Sequence, residues 1–197
     1  MNRKLNVSVM VSGGGTNLQA LMDNVQNKSL QGVCIRQVIS SRPDAFALER
    51  AKKAGIKTAV ISKERFPKVE DLAKELIKTL EDEETDLVVL AGYLSVLHED
   101  VIKRYRGRMI NIHPSLLPKY GGKGFYGMKV HEAVIAAGDR VSGATVHFVE
   151  HAMDTGEIIL QRRVPVLEGD DAQTLAKRVL ETEHVILTEA IRSFVGP

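Results

Sequence analysis

Residues 86–91, Asp-Leu-Val-Val-Leu-Ala, are a near-continuous apolar run. A strand that is apolar on both faces has to be covered on both, which marks a central strand of a parallel sheet packed between helices. The preceding chain repeats the theme. Residues 5–11 (Leu-Asn-Val-Ser-Val-Met-Val), 33–40 and 57–61 read as further strands. Apolar residues at helical spacing separate them: Leu18, Leu21, Met22 and Val25, then a stretch over about 44–54 stopped by Gly55, then Leu72, Leu76, Ile77 and Leu80. A short helix near 98–105 leads into one more strand. This alternation predicts an α/β fold built on a doubly wound, mostly parallel sheet flanked by helices.

That last strand, Met109-Ile110-Asn111-Ile112-His113, alternates apolar and polar residues, so Asn111 and His113 share one face. Pro114 cannot donate to a sheet ladder, which leaves His113 at the carboxyl end of the strand. Open α/β sheets place their ligands at that end. An amide and an imidazole there suit an oxyanion and a proton, although from these two residues alone a strand-end amide and a satisfied structural histidine is the favoured reading.

Beyond Pro118 the pattern changes. Residues 119–127 contain Gly121, Gly122, Gly124 and Gly127, which predicts a mobile loop. A helix over 128–137 follows, then strands over 142–149 and 157–166, close enough in sequence to pair antiparallel toward the C-terminus. A final helix over about 172–194 carries Leu175, Val179, Ile186 and Ile191 on its apolar side. With no repeat, linker or low-complexity segment, residues 1–197 are expected to form a single domain.

Composition narrows the function classes. A net charge of +2 with scattered basic residues argues against a nucleic-acid or membrane surface. A single cysteine, Cys34, excludes an internal disulfide framework and fits a reducing cytoplasm; its apolar surroundings predict a buried, inert thiol. The first apolar run is too short for a signal-peptide core or a membrane span.

Ser12-Gly13-Gly14-Gly15-Thr16-Asn17 stands between a strand and a helix. Glycines let backbone approach a ligand, and a helix start favours an anion. Gly13 and Gly15 match a dinucleotide fingerprint, but Leu18 takes its third glycine position and Ser40-Ser41-Arg42 offers no acidic residue. No Gly-Lys-Ser/Thr follows, so a single phosphomonoester suits the loop better than NAD or ATP; a tight turn before a capped helix explains the same residues equally well.

Asp154-Thr155-Gly156 lies between the two late strands. It is turn chemistry first. One copy of the triplet in a parallel α/β chain fits an aspartic protease poorly. Beside His113, Asp154 would favour the imidazolium and raise the histidine's pKa. His147 and His151 lack the helix or cysteine cluster of a zinc site, and His131 is expected to be an ordinary residue on a surface helix.

Together, Asn111-Ile112-His113-Pro114-Ser115-Leu116-Leu117-Pro118 and the spaced Asp154 resemble the signature of the folate-dependent formyltransferases. Residues 12–17 resemble the phosphate loop of that family's glycinamide ribonucleotide branch. The similarity runs from the first strand through Thr182-Glu183-His184. It implies transfer of the formyl group of 10-formyltetrahydrofolate to the amine of glycinamide ribonucleotide in purine biosynthesis. It implies a cytoplasmic monomer or homodimer, with no metal and no nucleic-acid partner.

By the same resemblance Asn111, His113 and Asp154 are catalytic. Gly15, Thr16 and Asn17 hold the substrate phosphate, and Glu183 binds the amine end. Leu94, Ser95, Val96, Leu97, Glu150, His151, Met153 and Asp154 line the folate pocket. The nucleotide-phosphate half then covers about 1–105, and the catalytic and folate half about 106–197. Ser95 and Val69 stand where the family often has arginines, and Leu180 where it has a polar residue. The expected chemistry is direct attack of the amine on the formyl carbon, with Asn111 and protonated His113 donating to the tetrahedral oxyanion. Rivals within the family are methionyl-tRNA formyltransferase and formyltetrahydrofolate hydrolase. A non-catalytic phosphometabolite-binding module would explain the glycine loop alone.

Overall fold

The structure, a computed structural model, describes residues 3–151 and 153–196. The ends of the expected 1–197 domain, and Ala152 within the expected folate segment, lie outside the described residues. Seven strands are hydrogen-bonded in the order β3-β2-β1-β4-β5-β6-β7. The expected α/β class, a mostly parallel sheet with an antiparallel pair toward the C-terminus, is what the chain adopts.

Two compact units divide the chain, residues 1–110 with 192–197, and residues 111–191. The first unit holds β1 (Leu5–Val11), α1 (Thr16–Gln26), β2 (Val33–Ser40), α2 (Phe46–Lys53), β3 (Lys57–Val60), α3 (Val69–Asp82), β4 (Leu87–Leu90) and α4 (Glu99–Arg104), and it contains the start of β5 (Met109–His113). Strand β1 pairs in parallel with β2 on one side and β4 on the other, and β2 pairs in parallel with β3. Strand order therefore reverses at β1, where an open α/β sheet forms a crevice beyond the strand ends. The glycine loop follows β1 directly.

All four residues of β4 are buried, as expected for a strand covered on both faces. Val9, Met10, Leu18, Val38, Ile39 and Leu76 in the same unit are completely buried. Leu72, Ala73, Leu76 and Leu80 supply the inner stripe of α3 at three- and four-residue spacing. Cys34, expected inside, is half-buried on β2.

The second unit contains α5 (Met128–Ala136), β6 (Val141–Phe148), β7 (Ile158–Pro165) and most of α6 (Ala172–Arg192). Strands β6 and β7 run antiparallel, Ser142 opposite Val164 and Thr145 opposite Gln161. Asp171 starts α6 with a reciprocal cap, its Oδ1 accepting from Thr174 N at 2.7 Å while its own N–H donates to Thr174 Oγ1 at 2.9 Å. Leu175, Val179, Ile186, Leu187 and Ala190 then bury the helix's apolar face.

Candidate active site

Within the second unit, the carboxyl end of β5 and the β6–β7 turn bring together the three residues singled out in the sequence. Asn111 is half-buried and His113 is 5% exposed, two positions apart on one strand. The His113 Nε2–H donates to the Tyr120 carbonyl at 2.7 Å. That bond fixes the tautomer of the neutral ring and leaves Nδ1 as its free edge.

The bend after β5 is clamped from β6 and β7. Thr145 Oγ1 donates to the Ser115 carbonyl at 2.6 Å and accepts from Leu117 N at 3.2 Å. Gln161 Nε2 donates both to Thr145 Oγ1 at 2.9 Å and to the Leu117 carbonyl at 3.0 Å. The Leu117–Pro118 peptide is cis. Ser115 Oγ donates to the Lys119 carbonyl at 2.6 Å, which continues the restraint toward Tyr120. The glycine-rich loop thus contributes backbone to the site: the Tyr120 carbonyl to His113, and the Gly122 N–H to Asp154 Oδ2 at 2.9 Å.

Asp154 adopts a left-handed backbone, φ 57°, which aspartate tolerates better than most residues. A Cβ on Gly156 would collide with the Phe148 carbonyl, so the turn can close this tightly only with glycine there. Asp154 Oδ2 lies 3.7 Å from His113 Nδ1, and Oδ1 lies 3.6 Å from His147 Nε2 and 3.5 Å from Asn111 Nδ2. Its side chain is 10% exposed.

His147 is the residue that a search for zinc spacing passes over. It is buried, its Nδ1–H donates to the Phe148 carbonyl at 2.8 Å, and its Nε2 accepts from Asn111 Nδ2 at 3.1 Å. One hydrogen of the Asn111 amide is thereby tied down and the amide's orientation set. The signal for it was strand period: Thr145 and His147 are polar residues on one face of a buried strand. His131, expected to be an ordinary residue of a surface helix, is buried on α5, and its Nδ1 has no hydrogen-bond partner among the described residues.

The protonation of the site differs from the expected one. Burial pushes the His113 pKa down, and this outweighs the upward pull of Asp154 and of the Tyr120 carbonyl; His147 adds to the lowering. The net direction is below 6.5, so His113 is a neutral imidazole near pH 7 rather than a standing imidazolium. For Asp154, burial acts upward as the largest single influence, but His147, His113 and the Gly122 N–H together outweigh it and hold the carboxyl below its usual range. The resting site is a carboxylate facing a neutral ring.

In the first unit, Gly15 N-caps α1 in a left-handed conformation, and Thr16 and Asn17 begin the helix. The N–H groups of Gly13, Gly14, Gly15 and Thr16 have no acceptor among the described residues. Ser12 Oγ hydrogen-bonds Ser41 Oγ at 2.6 Å and accepts from Leu94 N at 2.8 Å, tying the loop to the segment after β4. In that segment Leu94 and Val96 are 58% and 66% exposed, with Ser95 and Leu97 beside them. In the second unit, Glu150, His151 and Met153 are exposed in the β6–β7 connection, and Glu183 is buried on α6. Among the described residues no group of His, Cys, Asp and Glu is arranged to hold a metal ion, and no helix is long and apolar enough to cross a membrane.

A family model described as formyl transferase matches residues 5–191. The chain is 41% identical over 196 residues to the chloroplastic phosphoribosylglycinamide formyltransferase of Vigna unguiculata, covering 97% of this chain and 61% of that protein. It is 40% identical over 190 residues to the phosphoribosylglycinamide formyltransferase of Escherichia coli (strain K12), covering 96% of this chain and 87% of that one. The chain thus spans less than two thirds of the Vigna relative and most of the bacterial one. The crystal structure of glycinamide ribonucleotide transformylase 1 from Symbiobacterium toebii superposes with a TM-score of 0.91 at 38% identity, over 99% of this chain and 89% of that one. A formyltetrahydrofolate deformylase from Pseudomonas syringae pv. tomato str. DC3000 shares the fold at 25% identity and a TM-score of 0.87, over 98% of this chain and 62% of that one.

Proposed function

The chain belongs to the formyl transferase family, and on that premise we propose that it moves the formyl group of 10-formyltetrahydrofolate onto the primary amine of glycinamide ribonucleotide in purine biosynthesis. The observation that carries this reading is the cluster of Asn111, His113 and Asp154, whose facing polar atoms stand 3.5–3.7 Å apart. Likeness to named phosphoribosylglycinamide formyltransferases supports the choice of substrates.

In the proposed reaction the amine nitrogen attacks the formyl carbon, and the carbonyl oxygen takes the negative charge. The Asn111 N–H not used by His147 gives up its long 3.5 Å contact with Asp154 Oδ1 and donates to that oxygen. His113 Nδ1, arriving with a lone pair, takes the proton the amine sheds and becomes an imidazolium beside Asp154. Asp154 stabilises that charge without itself being protonated. Collapse of the intermediate breaks the bond to the folate nitrogen, which receives the proton from His113. Charge on the ring therefore appears during the reaction, where it helps most, and is absent before it.

Gly15, Thr16 and Asn17 are assigned to the substrate phosphate, supported by the N–H groups of Gly15 and Thr16, which have no acceptor among the described residues at this helix start. Glu183 is assigned to the amine end. Leu94, Ser95, Val96 and Leu97, with Glu150, His151, Met153 and Asp154, are assigned to the folate. The nucleotide-phosphate half is accordingly about 1–105, and the catalytic and folate half about 106–197. The single cysteine favours the cytoplasm as the location.

The test is incubation of the purified protein with 10-formyltetrahydrofolate, with and without glycinamide ribonucleotide, following folate absorbance. Formyl release that depends on the nucleotide amine supports the reading. Equal release without it would instead fit deformylase chemistry, and no release in either case would leave only a binding module.

A further inference from the structure

A loop that holds an anion through backbone N–H groups must keep its carbonyls turned away from the anion. In a planar trans peptide the carbonyl of one residue and the N–H of the next point in opposite directions, so whatever captures the carbonyl aims the N–H. Three consecutive glycines supply almost no restraint of their own.

Helix α2 supplies it. Ala47 N donates to the Gly13 carbonyl at 3.0 Å, and Arg50 Nε donates to the Gly14 carbonyl at 2.8 Å. These two bonds set the planes of the Gly13–Gly14 and Gly14–Gly15 peptides and aim the N–H groups of Gly14 and Gly15 away from α2. The approach is close: a Cβ on Gly15 would lie 2.6 Å from the Ala47 Cβ, and Gly15 holds φ 73°. Arg50 is itself fixed, with Nη1 donating to Gln19 Oε1 at 3.0 Å and the guanidinium 5.0 Å from the centre of the Phe46 ring. Its one planar fork therefore joins the glycine loop, the first turns of α1 and the first turn of α2.

We propose that Arg50 is a positioning residue for the nucleotide phosphate, acting by locking the Gly14–Gly15 peptide so that the loop's N–H groups stay presented to the anion. This rests on the assignment of the loop to the substrate phosphate. Steady-state kinetics compare glycinamide ribonucleotide with the same acceptor lacking its phosphate, for wild type, Arg50→Ala, Arg50→Lys and Gln19→Leu.

Arg50→Ala is expected to raise the KM for the nucleotide about tenfold or more, the scale of one lost charge-assisted hydrogen bond. The folate KM and kcat are expected to stay within about twofold, as for an interaction equal in ground and transition states. Its kcat/KM for the phosphate-free acceptor should barely move, so the preference for phosphate shrinks. Arg50→Lys, still able to donate to Gly14, should recover part of the preference. Gln19→Leu, which frees one side of the fork, should lose a smaller part, and it carries the test should Arg50→Ala fold poorly. An Arg50→Ala enzyme with undiminished phosphate preference, or with equal losses on both acceptors, overturns the role of Arg50. A wild type with no preference for phosphate would instead overturn the assignment of the loop, and the inference with it.

Discussion

His113 Nδ1 and Asp154 Oδ2 face each other across 3.7 Å, while the opposite nitrogen of the ring is held at 2.7 Å by the Tyr120 carbonyl. The first separation is beyond a hydrogen bond yet close enough for the carboxylate to stabilise a charge on the ring. With Nε2 occupied, a proton from substrate can arrive only at Nδ1, the edge facing Asp154. In the proposed reaction the pair becomes an ion pair during turnover rather than resting as one.

Asp154→Asn removes the one carboxylate that pulls the His113 pKa upward, leaving burial and His147 to push it further below 6.5. Activity that needs a neutral base rises as pH climbs through that pKa, so the acidic limb of the pH–kcat profile should move to lower pH. The plateau should fall by roughly 10²–10⁴, because the base is weaker and the imidazolium it forms is no longer offset. A kcat profile measured from pH 5 to 9 checks both, and a limb that stays in place would uncouple the two residues.

Asn111→Ala should lower kcat by roughly 10²–10³, the usual loss for one oxyanion donor. His147→Leu should lower it less, since the amide survives and only its orientation is freed. The two act through one hydrogen bond of 3.1 Å, so their effects should not add. A double variant whose loss equals the product of the single losses would show that His147 does not work through Asn111.

Much of this arrangement could be read from residue types. Period-two spacing put Asn111 and His113 on one face, Pro114 ended β5, and apolar runs marked the strands to within a residue or two. The one-dimensional pattern misses what depends on which faces become covered. His131 and His147 look like ordinary polar residues until packing buries them. The direction of the His113 pKa is hidden for the same reason: a neighbouring charge can be inferred from sequence, whereas the depth of desolvation cannot. The Tyr120 carbonyl and the Gly122 N–H carry no residue-type signature at all, being backbone groups aimed by a glycine-rich loop.

His131 makes the fold acid-sensitive. Burial, aided by repulsion from His113, lowers its pKa from 6.5 to about 4. Between those values the unfolded chain binds a proton that the folded chain refuses, so stability falls as pH drops through that window. The shift corresponds to about 3 kcal/mol lost by pH 4, with none of it lost at pH 8. Urea unfolding at pH 7.5 and pH 4.5 should show wild type losing roughly 2–3 kcal/mol more than His131→Leu over that interval. Equal losses would mean that His131 is protonated in the folded state.

Thr145 tests the clamp on the bend after β5. Its hydroxyl is completely buried, bonds the Ser115 carbonyl and Leu117 N–H, and accepts from Gln161. Thr145→Val keeps the shape but leaves a buried carbonyl and a buried N–H without partners, a loss of roughly 2–4 kcal/mol in unfolding free energy. The same change loosens the path from Ser115 to Tyr120, so kcat should fall while the KM for the nucleotide holds. Thr145→Ser, which restores the hydroxyl and omits only the methyl, should regain most of both. Gln161 is exposed, and water can replace its amide, so Gln161→Leu should cost under about 1 kcal/mol. Stability loss in Thr145→Val without any fall in kcat would confine the clamp to folding and sever it from His113.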